Sequence, residues 1–151
     1  MSYTERFSEL HYPLIKIAPA VAQAAAAQTS AYVSLANYHR AALVVHLGAI
    51  AATGTMTIQL LQAATSVGGS AKGIPTTAAQ TKTSTALVTG DANGIVVIEL
   101  RTEELDVANG FEHVAIKYDV DTDTVAFGAI LYGIEPRFAP VASTGFNEIV
   151  D

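Results

Sequence analysis

The chain has 151 residues, half of them hydrophobic, 15% charged and none cysteine, with a formal net charge of −6. That length holds one domain with a real core. The missing cysteines exclude disulfides, thiolate metal sites and cysteine nucleophiles, and eight scattered Lys and Arg leave no basic footprint for nucleic acid.

Alanine, valine and threonine dominate the apolar part, which suits strands built from small and β-branched side chains. The low charge content hints at surface covered by other subunits. Residues 1–10 contain Glu5 and Glu9 and no apolar run, so no secretory signal is expected there. The longest apolar run, residues 41–52, contains His46 and is too short to span a bilayer. Synthesis in the cytosol and no membrane contact are therefore expected.

Residues 1–30 read as an N-terminal extended arm. Pro13 and Pro19 bracket an extended stretch whose Tyr12, Leu14, Ile15 and Ile17 are candidate partner contacts. Residues 20–27 are alanine-rich and favour a short helix by propensity, though no apolar stripe specifies it. Arms of this kind are often ordered by a neighbour.

Residues 31–140 read as the folded domain. Residues 32–35 are a short strand candidate and residues 37–40 a turn. Residues 41–50 form a nearly continuous apolar run, which suits a central strand buried on both faces. After a turn at residues 51–54 the next strand alternates cleanly, with Met56, Ile58 and Leu60 on one face and Thr55, Thr57 and Gln59 on the other. These two runs give the strongest hairpin signal in the chain. Residues 66–75 are a glycine-rich loop, and residues 83–88 are expected to hold one short strand.

Asp91, Asn93 and Gly94 mark a turn. Val96, Ile98 and Leu100 then share one strand face. Residues 102–107 have room for one helical turn. Past Asn109 and Gly110, Val114, Ile116, Tyr118 and Val120 share a face, and after the acidic turn at residues 121–123 so do Val125, Phe127, Ala129 and Leu131. Pro136 and Pro140 stop pairing. Residues 141–151 form a C-terminal tail, an extended segment or second arm. Six to eight strands at regular spacing favour an all-β fold, a β-sandwich or jelly-roll-like domain.

Acids concentrate between Asp91 and Asp123, nine against the two bases Arg101 and Lys117. One reading is a solvated face. The other is an acidic patch that docks on a basic partner, with Glu103, Glu104 and Asp106 as candidate contacts. Asp119, Asp121 and Asp123 resemble the opening of a calcium loop, but Thr124 stands where that loop needs glycine and Ile130 where it needs glutamate. An acidic turn is the better reading, with a loose surface cation site left open. His11, His39, His46 and His113 are not in metal-spaced pairs, and His46 reads as a buried or interface residue. Gly68, Gly69 and Gly73 with Lys72 lack phosphate-loop spacing. No serine lies in a nucleophile-elbow setting. Neither catalytic residues nor a cofactor site are expected.

Two stretches carry a resemblance. The first is Ser34-Leu35-Ala36-Asn37-Tyr38 running into the apolar strand at residues 41–50. The second starts at Glu103-Glu104-Leu105-Asp106 and continues to Ile130-Leu131-Tyr132-Gly133-Ile134-Glu135-Pro136-Arg137-Phe138-Ala139-Pro140. Residues 32–140 resemble the head decoration, or cement, proteins of tailed bacteriophages. The resemblance implies a non-enzymatic virion structural protein with a β-sandwich or jelly-roll-like domain. It further implies a homodimer or homotrimer bound to the major capsid protein on the outer capsid surface. Two alternatives stay open. One is another phage structural subunit, of the tail or head–tail joint, with far fewer copies per virion. The other is a carbohydrate- or cell-binding sandwich module, which would normally present exposed aromatics, whereas this chain has no Trp.

Overall fold

The computed structural model describes residues 6–77, 80–138 and 145–149. A one-turn helix, α1 (Phe7–Leu10), leads into β1 (His11–Gln23) and β2 (Ala26–Thr29). Then come β3 (Val33–Ser34), β4 (Tyr38–Ile50), β5 (Thr55–Ala63), β6 (Lys72–Gly73), β7 (Pro75–Thr77) and β8 (Gln80–Thr81). The last three are β9 (Ile95–Arg101), β10 (His113–Asp121) and β11 (Val125–Pro136). One sheet has the order β1-β11-β4-β9. A second has the order β2-β10-β5-β6, with β3 also on β10, and β7 and β8 pair in a two-stranded ribbon. The fold is an all-β sandwich, as the strand spacing predicts.

The expected hairpin between residues 41–50 and 55–60 does not form. β4 pairs with β11 and β9, whereas β5 pairs with β10 and β6 in the other sheet. The intervening turn is an arch that carries the chain from sheet to sheet. The turns from β1 to β2 and from β10 to β11 cross in the same way. The three arches stack side by side. Gln23, Val125 and Ile50 are neighbours in the first sheet, and Ala26, Val120 and Met56 in the second. Main-chain bonding ties two of them, Ala51 N–H donating to Thr124 O at 3.0 Å. Thr122, with φ of 71°, makes the sharp corner of its arch.

The inward faces follow the alternation read from the sequence. Met56, Ile58, Leu60, Val114, Ile116, Tyr118, Val120, Val125, Phe127, Ala129 and Leu131 are all buried. Full burial of such side chains contributes about 1.5–3 kcal/mol each for the large aliphatic ones. Tyr118 meets Phe127 edge-on across the sandwich, centroids 5.0 Å apart. β4 departs from its expected burial on both faces. Leu43, Val45 and Leu47 face the core, whereas Ala42 and Val44 are half-buried on the outer face and His46 is exposed there. His46 is therefore not a buried histidine. On the outer face of the first sheet Phe7 meets Tyr132 edge-on and Gly145 meets Lys16, contacts with β11 and β1 that leave His46 of β4 exposed, so the apolar run reports strand propensity as well as burial.

Residues 11–29 do not form a detached arm. β1 pairs along β11, and β2 along β10, closing one side of both sheets. No helix forms over residues 20–27. The edge of β10 offers main-chain partners to β2, and Tyr118 Oη donates to Gln28 Oε1 at 2.7 Å. Those bonds outweigh the modest helix preference of alanine. The strand expected at residues 83–88 reduces to isolated bridges at Thr83 and Leu87 beside β5. In the expected C-terminal tail, Gly145 O accepts from Lys16 Nζ at 3.2 Å and Phe146 lies 6.4 Å from the Phe7 ring. Residues 1–5 of the arm, and 141–144 and 150–151 of the tail, lie outside the described residues.

Candidate functional site

β9 ends at Arg101 and the chain turns through two single 3-10 turns, Thr102–Glu104 and Val107–Asn109, before β10. Gly110 closes the second with φ of 82°, a left-handed conformation that glycine adopts without strain. This is the acidic segment singled out in the sequence, and it is pinned from two sides. Glu104 accepts the Arg101 N–H at 2.7 Å and pairs with Lys82 Nζ at 2.8 Å. Lys82 Nζ also donates to Glu99 O at 2.8 Å. Lys82 lies beside the isolated bridges to β5, so its side chain is a strut from the second sheet to the first. Partial burial pushes the Glu104 carboxyl up, but the Arg101 N–H, Lys82 and the Arg101 charge pull harder, and it ends below its usual range.

Asp106 is held as firmly. Lys72 Nζ donates to its Oδ2 at 2.6 Å and Asn109 Nδ2 to its Oδ1 at 2.7 Å. The Lys72 bond, then the Asn109 bond, set its carboxyl below the usual range. Its own N–H donates to Oε1 of Gln62 at 2.9 Å. Gln62 is fully buried, and its Nε2 reaches Gly73 O at 3.4 Å. Lys72 Nζ also sits 3.9 Å over the Phe111 ring.

The candidates therefore divide. Glu104 and Asp106 hold the turn to the body of the sandwich, while Glu103 is exposed, 3.5 Å from Arg101. Leu14, Tyr12 and Ile17 are half-buried along β1 and pack against the core. Ile15 is 8% exposed and is a core residue, not a surface available for contact. Asp119 and Asp121 lie exposed on β10, and Asp123 is engaged by Thr53 Oγ1 and the Thr124 N–H in the arch. No group of three or more metal-ligating side chains converges among the described residues.

Two features were missed in the sequence. Lys72 and Lys82 fall outside the acidic run yet neutralise part of it, because the fold brings them back from sequence-distant segments. The other is the outer face and free edge of the first sheet. There Val44 and Ile130 are half-buried neighbours, and Val97 and Ile95 stand 53% and 61% exposed on β9. The alternation of Val96, Ile98 and Leu100 inward placed both residues outward, which was a readable signal. Next to them Arg40 and Arg101 are direct cross-strand partners. Like charges so placed repel, and each is answered by a carboxylate, Arg40 by Glu135 at 3.7 Å and Arg101 by Glu103 at 3.5 Å. Together these residues can offer a partner an apolar strip bordered by forked hydrogen-bond donors.

The chain matches no family model, no curated protein and no solved structure.

Proposed function

We propose that this chain is a non-enzymatic virion structural protein, a head decoration or cement protein that binds the major capsid protein on the outer surface of a phage capsid. The resemblance across residues 32–140 supplies the family. The observation that carries the reading is the apolar outer strip of Val44, Ile130, Val97 and Ile95 on the first sheet. A contiguous exposed apolar surface marks an interaction site more often than chance surface composition does. The protein acts as a homodimer or homotrimer in this reading, which multiplies weak contacts through a shared lattice. A protein that binds the assembled shell better than its separate subunits stabilises the shell by linkage.

The test uses heads assembled without this chain. Purified protein added to them should co-sediment at saturating, lattice-defined copy number and raise the temperature at which the heads open. A copy number of a few per particle would point instead to a tail or joining subunit. No binding to heads at micromolar protein would overturn the reading.

A further inference from the structure

We propose that the free edge of β9 pairs antiparallel with β9 of a second copy of this chain, joining two four-stranded sheets into one. This rests on the self-association part of the reading above and not on the capsid.

The main chain shows which groups are available. Leu47 N–H donates to Gly94 O, so the even-numbered residues that follow in β9 turn their main-chain groups to β4. The odd-numbered residues Ile95, Val97, Glu99 and Arg101 turn theirs outward. Two of these outward groups are already engaged: Lys82 takes Glu99 O and Glu104 takes the Arg101 N–H. Among the described residues nothing pairs with the outward groups of Ile95 and Val97, and no strand lies along that edge.

The opposite edge of the same sheet is guarded. β1 carries Pro13 and Pro19 and three register shifts, devices that keep an edge from recruiting strands. The free half of β9 reads Ile-Val-Val, without proline or charge. An edge of this kind is a template for strand addition.

The edge is also self-complementary. A twofold axis through Val97 sets Val97 against its own copy and Ile95 against the copy's Glu99 on either side. The free groups then match donor to acceptor and form about six main-chain hydrogen bonds. Lys82 leaves one lone pair of Glu99 O for this pairing. The same register lays the copy's Asn93 opposite Arg101, whose guanidinium lies 3.5 Å from the exposed Glu103 carboxylate. By symmetry this contact occurs twice. The apolar side chains Ile95 and Val97 lose water on the outer face, where they extend the Val44 and Ile130 strip.

Sedimentation equilibrium of the purified chain, with no capsid present, tests the proposal from micromolar to hundred-micromolar concentration. Wild type should reach twice the monomer mass. Val97→Lys should lower the association constant roughly a hundredfold while keeping the wild-type circular dichroism, since charge on an edge opposes pairing. Ala18→Lys, on the guarded edge, should dimerise as wild type does. Hydrogen exchange on wild type supplies a readout independent of any variant: Ile95 and Val97 amides should gain protection as concentration rises. A wild-type monomer throughout, a trimer, or Val97 amide exchange unaffected by concentration would overturn the proposal. A dimer that survives a well-folded Val97→Lys would overturn the edge while leaving self-association intact.

Discussion

Gln62 is the buried polar side chain of the described core, and both ends of its amide are used. Its oxygen is the acceptor for Asp106 N–H. Replacing it with leucine keeps the volume but leaves that N–H without an acceptor. The expected loss is about 1 kcal/mol, the net worth of one hydrogen bond whose donor is only partly buried, read as a lower urea midpoint with unchanged slope. Glu104 behaves differently because it titrates. Its folded-state carboxyl lies below the ordinary value of 4.5, so its contribution is present above that value and is lost as pH falls through the lower, folded one. Glu104→Gln should therefore cost about 1 kcal/mol at neutral pH, a charged hydrogen bond discounted for partial exposure. The gap between variant and wild type should close as pH is taken well below 4.5, measured by thermal unfolding at both ends. Neither role was legible in the sequence. Gln62 looks like one more polar residue of an alternating strand, and the partners of Glu104 and Asp106 come from distant segments.

Strands and their inward faces were largely legible, because alternation is local and survives any pairing. Met56, Ile58 and Leu60 are buried whether the chain after residue 50 folds flat or crosses over. For that reason the pattern could not tell a hairpin from an arch. The four-residue turn is compatible with both. What the structure shows is that each strand is matched elsewhere: β4 runs along β11, and β5 pairs residue for residue with β10 from Thr55 to Ala63. The N-terminal stretch was misread as separable for a related reason: Pro13, Pro19 and a run of alanines look unlike a strand, yet an edge strand tolerates proline. The pairing changes what a truncation should do. Deleting residues 1–28 removes β1 and nearly all of β2, uncovers β11 and β10, and takes Ile15 from the core. The expected outcome is a chain without cooperative urea unfolding. A truncated protein with a wild-type transition would show that these strands are dispensable.

At the scale of the whole molecule, charge is sparse and much of it is internally paired. Glu104 and Asp106 are neutralised by Lys82 and Lys72, so the acidic run presents less free charge than the sequence count suggests. Exposed ion pairs contribute about 0–1 kcal/mol each, and at about 0.5 M salt the Debye length is only about 4 Å. Decorated heads should therefore keep the protein at that salt, and Glu103→Gln should change the on-rate by no more than about threefold. Stripping by salt alone, followed by sedimentation, would make charge the main anchor. The stacked arches carry a consequence for biosynthesis. β1 has its sheet partner in β11, and β2 in β10, so the first strands made must wait for the last. At about 5–20 residues per second the interval is roughly 5–20 s. Through it Leu14, Ile15 and Ile17 have no sheet to cover them. The nascent chain can close only around its own beginning, and a ribosome that stalls before residue 113 holds a polypeptide whose opening strands have nothing to clasp.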